Sequence, residues 1–248
     1  MGMKRKRQLS SVIFHAGACI LGFFMIYPLL WLLASSFKSN ETMFTNTYSL
    51  LPEVWDAAKN YASGFAGIGG VAFSTFFMNS MVVTVVGTIT CVLSSLLAAY
   101  TFSRLKFRFS NFWFGCVMMT MMIPAQVMVV PQYIILKKIH LIDTRVALIL
   151  PWCFGGAFFI FLMVQFFQGI PKELDEAAEI DGCGKIQTLV RVLIPIVRPA
   201  IITSSIFAFY WIWQDFFQPL IFMSSSTKYT IPLALNMYLD PNSYNNYG

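Results

Sequence analysis

Residues 169–199 read GIPKELDEAAEIDGCGKIQTLVRVLIPIVRP, and this stretch decides how the rest of the chain is read. It packs five acids (Glu173, Asp175, Glu176, Glu179, Asp181) and four bases (Lys172, Lys185, Arg191, Arg198) between two hydrophobic runs. Ionised side chains cost at least about 3 kcal/mol each at the centre of a bilayer, so this segment lies outside lipid. What surrounds it is apolar enough to lie inside.

Of 248 residues, 57% are apolar and 11% charged, and the mean hydropathy is +0.67. An ordinary soluble domain carries roughly 25% charged residues. At about 20 residues per crossing there is room for five or six membrane helices with short connectors. The expected class is all-α, a polytopic transmembrane helical bundle forming one membrane domain over residues 1–248. The net charge of +6 is spread over the ends of hydrophobic runs, which sets orientation and argues against nucleic acid as a partner. The five cysteines (Cys19, Cys91, Cys116, Cys153, Cys183) lack metal-ligand spacing and read as buried free thiols. With His15 and His140 the only histidines, neither a metal site nor a catalytic cluster is expected.

Working outward, KRKR at 4–7 precedes an apolar run from Val12 to Leu33. The run is longer than a signal-peptide core and no small-residue cleavage site follows, so it reads as a retained first span. Residues 34–75 read as an external loop with a short amphipathic piece around Trp55–Phe65. Phe76–Phe102 is the second span and Phe112–Leu136 the third, interrupted by Pro124 and Pro131. Val146–Phe167 is the fourth, carrying Pro151 and Gly155-Gly156, and Ala200–Met223 the fifth. The remaining residues are too short of apolar length to cross.

Lysine and arginine can be counted on alternate sides. With the N-terminus inside, inner segments hold eleven and outer segments six, which puts the charged loop in the cytoplasm. Within that loop Pro171 suits a first helical turn, and the acids after it favour the positive end of the helix dipole. Leu174, Ala177, Ala178 and Asp181 share one face, and Gly182 supplies the stop. A second short helix is expected near Lys185–Val192, with Pro195 and Pro199 marking the return to the membrane. Five acids in nine positions repel one another, so the helix is not built to stand alone. Read from its residues only, it is either a solvated interfacial loop or a docking element.

The spacing goes further. Glu176-Ala177-Ala178, three residues, Gly182, nine residues and then Val192-Leu193-Ile194-Pro195 resembles the EAA loop of ABC importer permeases. Met122–Thr144 (MIPAQVMVVPQYIILKKIHLIDT) and Trp213–Leu220 (WQDFFQPL) resemble the matching stretches of the maltose-type carbohydrate permeases, whose second, G-like subunit is the nearest kind. Gln214 stands where that family commonly has Asn. The resemblance implies a type I importer fold in a bacterial or archaeal cytoplasmic membrane. It implies as partners a second homologous permease, two ATP-binding cassette subunits holding ATP-Mg, an extracytoplasmic solute-binding protein and a sugar or oligosaccharide. It assigns ATPase coupling to Leu174, Glu176, Ala177, Ala178, Gly182 and Pro195. The family usually has six spans, the last beginning soon after a stretch like LDPNSYNNYG, so with five visible here the C-terminal span is expected to be missing through truncation.

Polar groups within spans should face the bundle or a water-filled path: Asn79, Gln126, Gln165, Gln214 and Asp215. Asp215, with Trp211, Trp213 and Phe216 around it, suits a sugar contact, where an aromatic face covers C–H groups and a carboxylate accepts from hydroxyls. It equally suits an interfacial tryptophan belt with a helix-capping acid. Pro124 and Pro131 each remove a backbone donor, giving a helix that moves as a gate or is only bent for packing. No Gly-x-x-x-x-Gly-Lys-Ser/Thr is present and no catalytic triad can be assembled, so ATP hydrolysis is assigned to separate subunits. A permease for a polyamine or phosphate ester, or an ion-coupled carrier relying on Asp215, stays open on these grounds.

Overall fold

The computed structural model describes residues 3–39, 49, 52 and 55–238. The stretch LDPNSYNNYG (239–248), after which the family's last span begins, lies outside the described residues. The chain divides into two compact units, one of Met1–Phe73 with Tyr238–Gly248 and the other of Ser74–Met237.

In the first unit, α1 spans Met3–Ser35 and is largely apolar around its circumference from Val12 to Leu33, with nearly all of those side chains exposed. A helix greasy on every side is a membrane helix. α2 (Ala57–Ala66) is the expected amphipathic piece. Its buried Asn60 donates to the carbonyls of Ser36 (3.1 Å) and Lys38 (2.7 Å), satisfying backbone acceptors just past the end of α1.

The second unit is built on α3, Phe73–Arg104. Its buried positions pair as 79/80, 83/84, 87/88, 91/92, 95/96 and 99/100, a repeat of four. Since an α-helix turns about 100° per residue, a repeat of four walks the buried stripe about 40° round the helix at each step. Asn79 and Tyr100 therefore present to different neighbours. One apolar cluster joins Cys91, Leu96 and Ala99 to Phe159, Met163, Phe167, Leu193 and Val197. The other joins Val83 to Leu136, Leu148, Ile212, Phe222 and Leu233.

The expected third span is two helices, α4 (Ser110–Thr120) and α5 (Ala125–Lys138), bent by 101°. The break falls at Met121–Pro124, with Pro124 capping α5. Pro131 sits inside α5 without breaking it. The fourth expected span is α6 (Arg145–Ile149), a 3₁₀ turn (Leu150–Phe154) and α7 (Ala157–Gln168). At their junction Gly155 has φ +80°, and a Cβ there would lie 3.0 Å from Ser95 Oγ. The same hydroxyl accepts from Gly156 N at 3.1 Å, so close approach to α3 and the left-handed backbone both require glycine.

The charged loop folds as α8 (Glu173–Ile180) and α9 (Lys185–Thr188). The expected boundary at Pro195 and Pro199 is corrected here: α9 runs through a π turn (Leu189–Leu193) into α10 (Ile194–Trp213), one apolar helix over Lys185–Trp213. A proline clashes with the carbonyl four residues before it, and the π turn widens the helix where Pro195 would meet Arg191. The last expected span, Ala200–Met223, therefore begins earlier and stops at Trp213. Asp215 Oδ1 then accepts from Phe217 N (3.1 Å) and Gln218 N (3.3 Å), capping α11 (Phe217–Phe222), and α12 (Ile231–Tyr238) follows. Among the described residues four helices are long and apolar enough to cross a membrane, or five if the bent α4–α5 pair counts as one. All five cysteines are free, as expected, but only Cys91 is buried.

Candidate functional site

The charged loop is shaped by a Schellman motif. Cys183 N donates to Ala178 O (2.9 Å) and Gly182 N to Glu179 O (3.1 Å), with Gly182 at φ +82°. These two bonds satisfy carbonyls the helix end would leave open, and the glycine turns the chain back toward α9. Glu173, Asp175 and Glu176 occupy the first turn of α8, at the positive end of its dipole. Of the expected apolar face, Ala178 is buried while Ala177 and Leu174 are exposed. Ile180 and Ile186 are 86% and 78% exposed on either side of the glycine turn. Two isoleucines held out beside a row of acids make a surface with no partner within this unit. Pro195 lies within the long helix that leaves the loop.

The last turn of α3 braces this loop from behind. Arg104, whose side chain is 5% exposed, places NH1 3.2 Å from Asp175 Oδ2. The contact is an ion pair, and that oxygen accepts no hydrogen bond among the described residues. Its NH2 donates to the carbonyls of Phe167 (2.9 Å) and Ile170 (2.8 Å) at the C-terminal end of α7. One turn earlier, Tyr100 Oη donates to Lys185 O at 3.0 Å. Lys185 Nζ in turn lies 3.2 Å from Glu179 across the glycine turn. Between α3 and the loop is a cleft of about 490 Å³ lined by Arg104, Lys106, Lys172, Glu176 and Thr188 among others.

The other end of α3 is pinned as firmly. Asn79 is fully buried, and its amide donates to Thr227 O and Tyr229 O, both at 2.9 Å. Its carbonyl oxygen accepts from Arg145 Nε at 2.9 Å, and Ser80 Oγ accepts from Ile231 N at 2.8 Å. Beside them Asp143, at φ +59°, accepts from Ser224 N, Ser225 N, Ser225 Oγ and Lys228 Nζ. The Lys228 ammonium, then the Ser225 hydroxyl, hold its carboxyl well below the usual carboxylate range.

The residues expected along a substrate path are not gathered into one cavity. Asn79 belongs to the pin just described. Gln126 is exposed on α5 and Gln214 is exposed past the end of α10. Trp211 packs among Phe158, Phe159 and Phe207, with centroids 5.2, 5.2 and 6.0 Å away. Trp213 stacks on Phe209 (5.8 Å, 10°) and borders a shallow apolar groove shared with Thr88, Ser205 and Tyr210. Asp215 is occupied as a cap, with Phe216 half-buried beside it. Pro124 stands at the α4–α5 break and Pro131 does not. Sequence reading missed Arg104, Tyr100, Asp143 and Arg145, because each acts on partners far along the chain.

Known proteins place this arrangement. Residues 91–245 match the family described as binding-protein-dependent transport system inner membrane component. The diacetylchitobiose uptake system permease protein NgcG of Streptomyces coelicolor is 30% identical, covering 94% of this chain and 76% of that protein. The arabinooligosaccharides transport system permease protein AraQ of Halalkalibacterium halodurans is 29% identical, covering 99% and 87%. In three dimensions, a chain of a bacterial ABC transporter involved in the import of the acidic polysaccharide alginate superposes with a TM-score of 0.78 at 22% identity, covering 95% of this chain and 81% of that one. The chain thus belongs to the inner-membrane components of binding-protein-dependent transport systems, the multi-pass permease subunits of ABC importers.

Proposed function

We propose that the chain is one of two permeases of an ATP-driven importer for sugars or oligosaccharides, and that residues 169–199 couple it to the ATPase. The observation that carries this reading is the exposed, glycine-turned α8, with Ile180 and Ile186 facing outward and Arg104 and Tyr100 fixing it to α3. A loop so exposed and so firmly backed is suited to take a push from a soluble partner. ATP-Mg would bind on two cassette subunits, and their closure would drive alternating access in this permease and its homologous mate. A solute-binding protein would deliver the solute from outside. The saccharide reading draws on relatives named for diacetylchitobiose and arabinooligosaccharides.

The N-terminus and the loop then share the cytoplasmic side. The excess of lysine and arginine in the inner segments, eleven against six, supports that orientation. Gln126, Trp213 and Gln214, which reach the surface, are the proposed path residues of this subunit, and the Pro124 break is its proposed gate hinge.

The test is co-purification with candidate ATPase subunits, followed by binding-protein-stimulated ATP hydrolysis. Glu176→Lys and Gly182→Asp should each abolish stimulation and weaken assembly. Wild-type-like assembly and hydrolysis in both variants would end the coupling assignment. For the solute, titrating the cognate binding protein with saccharides, polyamines and phosphate esters should give binding to saccharides alone.

A further inference from the structure

The coupling loop is gripped from one helix end at two places, one on each side of its glycine turn. Arg104 reaches Asp175 in the first turn of α8, and Tyr100 reaches the first residue of α9. The same Arg104 guanidinium also closes two carbonyls at the end of α7, the element that leads into the loop. A single buried side chain therefore joins the exit of one apolar helix, the start of α8 and the end of α3. The grip depends on the shape of the group as well as its charge. A guanidinium presents donors in a fixed planar fork, so NH2 can serve two carbonyls while NH1 faces the carboxylate; a lysine ammonium is one point at the end of a flexible stem. Little else restrains α8, since Ala178 is its single buried residue.

We infer that Arg104 is a positioning residue for transport. It holds α8 at a fixed offset from the membrane helices, so that a displacement of the loop is delivered to α3 and α7 rather than absorbed by bending at Gly169–Lys172. Tyr100 performs the same task for the α9 side. This rests on the coupling role proposed above, and it makes a separate demand: the permease must still bind its ATPase when the grip is lost, while the two activities come apart.

The test uses the complete transporter, with both permeases, the ATPase subunits and the binding protein, reconstituted in proteoliposomes. Solute imported and ATP hydrolysed are measured together. Arg104→Met should leave co-purification of the ATPase unchanged and lower the import-to-hydrolysis ratio at least about fivefold, the lower end of ordinary inter-site coupling. Arg104→Lys should recover part of that loss, and Tyr100→Phe, which removes one hydroxyl, should cause a smaller one. Asp175→Asn should lower the ratio too, and should add little on top of Arg104→Met, because both break one tie. An unchanged ratio in Arg104→Met overturns the inference, as does a fall in import that merely tracks lost protein. If Arg104→Met does not accumulate, Asp175→Asn and Tyr100→Phe decide by the same ratio. If the wild-type complex shows no linked hydrolysis, the coupling role itself has failed, and that result is separate from any effect of Arg104.

Discussion

Lys228 Nζ lies 2.7 Å from Asp143 Oδ2 and donates to Asp143's own backbone carbonyl at 2.6 Å. One ammonium thus serves the side chain and the main chain of a residue that stands in a left-handed conformation at φ +59°. With Ser224 and Ser225 donating from the same side, the two connecting segments around Asp143 and Lys228 are clamped together.

Asp143→Asn should lower the thermal unfolding midpoint of the detergent-solubilised protein by a few degrees at pH 7, with Lys228→Met smaller in effect. The pH dependence follows from the depressed carboxyl. A carboxyl that titrates lower when folded contributes fully above the unfolded value, about 4, and loses its contribution as acidity carries it through the folded one. The wild-type advantage over Asp143→Asn should therefore stay level from pH 8 to 5 and shrink only in stronger acid. Melting curves across that range check it; a gap that closes between pH 8 and 5 is the contrary outcome.

Asn79→Ala removes a fully buried amide and leaves the part-buried carbonyl bonds at Thr227 and Tyr229 unmade, while Arg145, an exposed residue, loses its partner to water. Each unsatisfied buried group costs about 1–3 kcal/mol. The variant should melt well below wild type, and Arg145→Ala should add less in the Asn79→Ala background than alone. Alanine at exposed Gln126 should leave the midpoint where it is. Thermal shift measurements on the four variants beside wild type distinguish these outcomes.

Two of the positive-φ glycines, Gly155 and Gly182, should respond differently to alanine. At Gly155 the new methyl meets Ser95 Oγ at 3.0 Å as well as an unfavourable φ of +80°. At Gly182 nothing lies within 4 Å, so the cost is conformational, about 1–2 kcal/mol. Gly155→Ala should be the more destabilised and should regain part of the loss with Ser95→Ala. Gly182→Asn, which tolerates the left-handed region, should be milder than Gly182→Ala.

Ile180→Ser and Ile186→Ser remove exposed apolar area without touching the interior. Both should melt like wild type yet bind the ATPase subunit more weakly, roughly tenfold for about 1.4 kcal/mol lost. Pull-down titrations at fixed permease concentration would show it. Equal affinity would place the docking surface elsewhere.

How much of this was legible depended on whether a feature is local. Gly182 could be read as a stop because a Schellman turn is written within six residues, and the break at Pro124 because a proline acts on its own turn. Pro195 misled for the opposite reason: the π turn that accommodates it shows only in the backbone. Arg104 reads as one more base at the end of a span, yet its acceptors are carbonyls 63 and 66 residues away, and any residue type supplies a carbonyl. Asn79 reads as too polar for lipid, but its amide donates to backbone carbonyls 148 and 150 residues on, and its oxygen accepts from Arg145, 66 residues on. The four-residue repeat of small and polar side chains in α3 was the available signal that this helix is central.

Asn79 and Arg104 lie 25 residues apart on one helix, about 38 Å at 1.5 Å per residue, which exceeds the thickness of a bilayer's apolar layer. Both ends are held by bonds that run sideways to neighbouring segments. A piston stroke of even one turn, about 5.4 Å, would strip Asn79 and Arg104 of their partners together. A tilt about either end breaks at most one of the two sets. If α3 moves within its unit during a transport cycle, it moves as a lever whose fulcrum is one of these two residues.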